Sequence, residues 1–433
     1  MQSGPIVKQW DSKQLPQDWF KRQQVDQQAT SELESTVKTI ISQVKAQGDR
    51  ALLDFALRFD KAQLTPETLR VSEEEIQAAY NNVTPEQVAA IEFMKKRVSV
   101  FQKQLLANTA VRAFNEGIMV QTVLCPIESV GCYVPGGQAA YPSTVVMTAL
   151  VAKIAGVPRI VVCSPCNAEG KVNPLVLVAS DICGVTEVYK VGGAQAIAAL
   201  AYGTETIEPV RKIVGPGSKY VTAAKVLVSQ DVAIDMPAGP SEILVLADDT
   251  ADPRLIAYDM ISQAEHGTDS VSALVTTSSN LAEQVQTNLS KYAAVAPRSE
   301  KIVESLSKYG FIIVCKDIDE AVKLTNQFAA EHLEVLTRDA RALAERLVAG
   351  LILIGPYSPV PLSDYASGTN HVLPTGGFAQ AFSGLSAIDF MRRVSIAECS
   401  KEGLQKVKAQ VKVLTDTENL PNHYKAIAAR FEP

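Results

Sequence analysis

Histidine is scarce in this chain. Its 433 residues include four: His266, His332, His371 and His423, all in the second half. No apolar run reaches the ~20 residues needed to span a bilayer, so no membrane-embedded role is expected. The opening stretch, MQSGPIVKQWDSKQLPQDWF, lacks the charged-then-apolar order of a secretory signal. Excess positive charge is missing too. The net charge is -6, which argues against nucleic acid or an anionic membrane as partner. Cysteine is present in an odd number, seven. One Cys-x-x-Cys occurs, Cys163 to Cys166, with no second pair at zinc-finger spacing. A disulfide scaffold and a thiolate zinc finger are therefore disfavoured, and a reducing cytoplasm is expected. The dinucleotide fingerprint G-x-G-x-x-G is also absent.

What remains is a globular composition, 47% hydrophobic and 20% charged, long enough for two or three cores. Residues 1–28 are polar and Gln-rich and read as an arm in need of a partner surface or as a frayed end. Helical spacing starts at Thr30 with Leu33, Val37, Ile40, Ile41 and Val44. Ser72–Glu75 and Thr84–Gln87 are capping boxes, the second opening a helix that runs to about Leu106. Ile118–Leu124 alternates like a strand. From Val130 onward apolar strands alternate with helices, first through 232–234 and again from Ile243 to Ile354. That rhythm predicts parallel sheets in two α/β units, joined near Pro237–Pro240. Residues 357–384 read as a long Pro-, Ser- and Gly-rich loop, and the chain from about Ala387 as a separate amphipathic helical segment.

Four glycine clusters fall where strands end: Pro135-Gly136-Gly137, Gly192-Gly193-Ala194-Gln195, Gly215-Pro216-Gly217 and Ala238-Gly239-Pro240-Ser241. Such turns let the backbone approach a ligand, and the following helix N-terminus favours phosphate; tight-turn geometry alone would also explain them. The polar candidates are fewer. Asp252 and Pro253 start a helix that carries Gln263 and His266 on one face near its end. Glu331-His332 precedes a strand, and an adjacent carboxylate and imidazole can activate water and relay a proton. Asp364 and His371 bracket a polar loop, and Glu418 and His423 lie in the tail. Gln263, His266, Asp364 and His423 form an oxygen and nitrogen donor set without thiolate. That suits zinc, with manganese or cobalt as substitutes. On residue chemistry alone, zinc plus Glu331-His332 plus water describes a hydrolase as well as a dehydrogenase.

Six segments together resemble one family, histidinol dehydrogenase, over about Thr30 to Ala429. They are Val130–Gly137, Val191–Leu200, Asp235–Glu242, Ser262–Gly267, Glu331–Leu333 and Asp364–Thr375. The resemblance implies oxidation of L-histidinol to L-histidine through the aldehyde, using two NAD and one water. It implies Gln263, His266, Asp364 and His423 as ligands of one Zn2+ per subunit, and Glu331 and His332 as bases. Ser241, Glu418, His332 and the four ligands would contact substrate. Tyr133, Gln195 and Ser218 fall at NAD-contacting positions; Ser218 departs from the asparagine usual after Gly-Pro-Gly. His371 has no ligand role in the family. The fold implied is two incomplete Rossmann-like domains with parallel sheets, plus small N-terminal and C-terminal helical segments, in a homodimer. One domain would comprise 29–132 and 238–384, carrying most of the metal and catalytic site. The second would be 133–237, with the NAD contacts. The tail 385–433 would cross to the partner subunit. Related enzymes that oxidise other polyols, such as sulfopropanediol, are the alternative within this superfamily. A non-catalytic relative would not be expected to keep every ligand and base.

Overall fold

The strand and helix rhythm past Val130 resolves into two parallel sheets. The computed structural model describes residues 5–16, 19, 27–109, 111–136, 140–236 and 239–432. Gly137, Pro237 and Ala238, and with them part of two glycine clusters and of the expected domain join, lie outside the described residues, as does much of the N-terminal arm. In the five-stranded sheet the order is Glu187–Tyr189, Arg159–Cys163, Ser129–Tyr133, Lys212–Val214, Ala233–Ile234, all parallel. In the six-stranded sheet it is Lys8–Asp11, Phe311–Val314, Val271–Thr276, Glu242–Ala247, His332–Leu336, Leu351–Ile354, again all parallel. Within each α/β unit the chain starts at a central strand, steps outward twice, then returns and steps the other way. This is the doubly wound order, and the reversal leaves a crevice beside the central strand. The strands Glu242–Ala247, Val271–Thr276 and His332–Leu336 are buried at every position, as helices on both faces require.

Three expectations are corrected. Residues 29–132 do not group with 238–384. Val37, Ile40, Val44 and Leu52 pack with Val161, Ile197 and Ile213, and Ile91, Met94 and Val98 with Val130, Val146 and Val162. The five-stranded sheet needs cover on both faces, and these N-terminal helices supply part of it. Second, the N-terminal arm is not simply polar: Lys8–Asp11 adds a parallel edge strand to the six-stranded sheet, with Trp10 against Phe311. Third, the tail is not wholly helical. Met391–Cys399 is a strand, antiparallel to Ile118–Pro126, and only after it come the helices Lys401–Thr417 and Pro421–Ala428.

The long loop is partly ordered into a helix, Val360–Tyr365. It then straps the two units together. Asn370 donates to the Met147 carbonyl at 2.7 Å and accepts from Val372 N–H at 2.8 Å, while Gly376 N–H donates to Glu242 at 2.9 Å. Among the described residues no helix is long and apolar enough to cross a membrane.

Candidate active site

Between the sheets lies a cavity of about 740 Å³. The five-stranded sheet offers it the carboxyl side of its crevice: Pro135, beyond Ser129–Tyr133, and Pro216, Gly217 and Ser218, beyond Lys212–Val214. The six-stranded sheet instead presents amino ends. Ser241 precedes Glu242–Ala247, and Glu331 and His332 open the strand His332–Leu336. Its helix Pro253–Ala264, capped by Asp252 on Arg254 N–H, brings Gln263 to the wall, and His266 follows just past the helix end. Asp364, from Val360–Tyr365, and His371 complete this side. Thus Ser218, Ser241, Gln263, His266, Glu331, His332 and Asp364, distant in sequence, share one cavity.

His332 is buried, and its two ring nitrogens have different surroundings. Nδ1 lies 3.3 Å from the Glu242 carbonyl and 3.6 Å from Glu331 Oε2. Both neighbours are acceptors, so Nδ1 carries the proton in the neutral ring. Nε2 then bears the lone pair. It is buried without a hydrogen-bond partner among the described residues and sits 3.9 Å from Asp364 Oδ1. Burial pulls the imidazole's pKa down, but Glu331, Asp364 and the Glu242 carbonyl outweigh it, so the net shift is upward. His371 behaves oppositely. Burial dominates and lowers its pKa despite Asp364, whose Oδ1 is 3.9 Å from Nδ1. A neutral His371 beside Asp364 can orient that carboxylate.

Glu331 is fixed by backbone. Its Oε2 accepts from Glu242 N–H at 2.7 Å, and its own N–H points at Glu242 Oε2 at 3.4 Å. Gln263 is 2% exposed, and its Nε2 is buried without a partner among the described residues. An amide end left unpaired in a polar cavity, with Asp364 and His266 on the same walls, is a place for a ligand. Yet among the described residues no three His, Cys, Asp or Glu side chains gather at metal-binding distance. His266 and Asp364 are the two such expected ligands in the cavity wall. The third, His423, is exposed on the last helix, and Glu418 is exposed at the end of the helix before it; neither lines the cavity.

Tyr133 and Gln195 are also outside the wall. Both are buried, and the Tyr133 hydroxyl accepts from Gly193 N–H at 3.0 Å. Ser218 does line the cavity, and its hydroxyl makes no capping bond to the helix it precedes. The Cys-x-x-Cys is inert: burial pushes both thiols up, Cys166 to about 11. Sequence reading missed Glu242, which holds Gly376 and faces Glu331, and Glu334, one strand position pair beyond His332. The available signal was a glutamate at the head of one apolar run, EILVLA, and another between the apolar residues of HLEVL.

The histidinol dehydrogenase family model matches residues 22–431. A histidinol dehydrogenase of Methanothermobacter thermautotrophicus is 45% identical over 396 residues, 91% of this chain and 92% of that protein. One from Bacteroides thetaiotaomicron is 44% identical over 405 residues, 93% and 94% of the two chains. The crystal structure of histidinol dehydrogenase from Elizabethkingia anophelis superposes with a TM-score of 0.93 at 35% identity, covering 99% of this chain and 98% of that one. The chain belongs to the histidinol dehydrogenase family, NAD-dependent oxidoreductases that carry out the last steps of L-histidine biosynthesis.

Proposed function

We propose that this cleft oxidises L-histidinol to L-histidine through the aldehyde, with His332 and Glu331 as its two bases and a zinc ion held by Gln263, His266, Asp364 and His423. The observation that carries the reading is the unpartnered buried Nε2 of His332, in one cavity with Asp364, His266 and Gln263, whose buried amide makes no bond through its nitrogen and can turn its carbonyl oxygen to a cation. The donor set fits zinc, being nitrogen and oxygen without thiolate. When bound, the ion would serve to orient the substrate, and NAD would supply the hydride acceptor for each of the two oxidations. His332 receives the hydroxyl proton at Nε2, the face left open by the Nδ1–Glu242 contact. The resulting imidazolium is stabilised by Glu331 and Asp364, in keeping with its raised pKa. Glu331 removes a proton from the water that attacks the aldehyde. Ser241, with Glu418, contacts substrate.

Ser218 is the proposed hydroxyl contact to NAD. Tyr133 and Gln195 act behind it, Tyr133 by fixing the Gly192-Gly193 turn. A homodimer with crossed tails accounts for a cavity short of one imidazole and for a tail whose His423 and Glu418 face outward. Exposed Val413, Leu414 and Leu420 on that tail supply apolar surface for the partner. All seven cysteines are free, which fits a reducing cytoplasm. The test is NADH absorbance from zinc-loaded protein, NAD and L-histidinol. Two NADH per histidinol are expected and none from sulfopropanediol; a folded, zinc-loaded dimer that yields no NADH from histidinol sinks the reading.

A further inference from the structure

Behind the cleft lies a carboxyl pair that this chemistry does not use. Glu334 stands two residues beyond His332 on the same strand, hence on the same face, and is 1% exposed. Its cross-strand neighbours are apolar, Val245 on one side and Leu353 on the other. Oε1 accepts from Val360 N–H at 2.8 Å, in the first turn of the helix that carries Asp364. From that helix the nearby polar side chain is Ser363, already donating to the Val360 carbonyl. Glu334 Oε2 is buried and meets no donor among the described residues. What it faces is the side chain of Asp259, on the helix Pro253–Ala264, one turn before Gln263.

Two carboxylates pressed together away from water repel, and neither can donate. A single proton between them cures both faults and gives a short, strong hydrogen bond. Burial raises both acids, Asp259 to about 6 and Glu334 well above its ordinary range, and no cation among the described residues offsets it. We propose that Asp259 and Glu334 share one proton and act as positioning residues, clamping together the three elements from which Gln263, His332 and Asp364 enter the cleft. The clamp ties helix 253–264 to strand 332–336, and Glu334 ties that strand to helix 360–365. Its role in holding metal rests on the zinc reading above.

The experiment uses the full chain. Zinc affinity is read by chelator competition, and the metal-free protein is unfolded thermally between about pH 5 and about pH 8. Asp259→Asn lets an amide donate to the Glu334 carboxylate, keeping the bond without a shared proton. Asp259→Leu removes it. Zinc affinity within about threefold of wild type is expected for the Asn variant, and a loss on the order of tenfold to a hundredfold for the Leu variant. The folded wild type holds a proton that the unfolded chain releases. Its stability is therefore full at low pH and falls as pH rises through the raised pKa values. The Asn variant lacks that term, so its midpoint declines less over the same range. Parallel curves overturn the shared proton, whether or not the Leu variant folds. A Leu variant with wild-type zinc affinity overturns the clamp. If wild type binds no zinc, the zinc reading fails and the positioning role with it, while the pH curves still decide the proton.

Discussion

Glu331 is anchored by a peptide N–H rather than by a cation, and this sets what its replacement will do. Glu331→Gln keeps an oxygen for the Glu242 N–H, so the strand start is retained. The variant loses the proposed base for water. Oxidation of supplied aldehyde is expected to fall by about 10²–10⁴-fold, and the alcohol step, assigned in the proposal to His332, by much less. Separate assays of the two half-reactions check this, and equal losses would count against the division of labour. His266→Asn should leave the fold intact, since His266 is exposed, while weakening zinc binding; full zinc occupancy measured by metal analysis would remove it from the ligand set. At this scale the sequence was readable where chemistry was concentrated. Glu331-His332 and Gln263-Ala264-Glu265-His266 are unusual as local strings. Glu242, Asp259 and Glu334 are not. Their roles come from one another's proximity across elements, which no spacing along the chain displays.

At the scale of elements, the Gly215-Pro216-Gly217 turn was expected to approach a ligand, and its construction bears on that. Gly215 has φ +117, and a Cβ there would sit 2.2 Å from the Tyr133 carbonyl oxygen. The turn is also pinned: Gly215 N–H donates to Asp235 at 2.8 Å, and its carbonyl accepts from Lys225 at 3.0 Å, the two side chains forming a buried ion pair. Gly215→Ala is therefore expected to cost about 1–3 kcal/mol of stability. It should also raise the KM for NAD more than that for histidinol, because Ser218, the proposed NAD contact, follows the turn; thermal unfolding and paired steady-state titrations check both effects. Strands such as Lys212–Val214 and Val271–Thr276 were legible to the residue because continuous apolar runs between turn signals admit little else. Met391–Cys399 was not. It is exposed along nearly its whole length, so burial imposes no alternation, and its partner Ile118–Pro126 is remote in sequence. Lys8–Asp11 was hidden for a similar reason, as a four-residue edge strand in a polar arm.

For the whole molecule, sequence periodicity predicted two α/β units but not how they meet. The carboxyl ends of one sheet face the amino ends of the other, and this opposition makes a cavity of about 740 Å³, in the range of small-molecule sites. Nor does periodicity say which chain supplies His423. In a single subunit it stands exposed, away from the cavity wall, and the proposed dimer brings the partner's tail to each cleft. Hybrid dimers separate that arrangement from one in which the tail folds back on its own cleft. A Glu331→Gln subunit carries a defective cleft and an intact tail; a His423→Asn subunit carries the reverse. Followed as formation of L-histidine, the activity of each homodimer falls to about a hundredth of wild type or less by either arrangement. In a crossed hybrid, one cleft unites intact Glu331 with intact His423, and the other holds both defects. Random exchange makes half the dimers hybrid, each with one of two sites sound, so about a quarter of wild-type activity should return. With tails kept at home, every cleft in the hybrid stays defective and mixing restores nothing. Native mass spectrometry of the mixture establishes that exchange has occurred. Absence of rescue in a sample containing hybrids therefore places His423 within its own subunit's site.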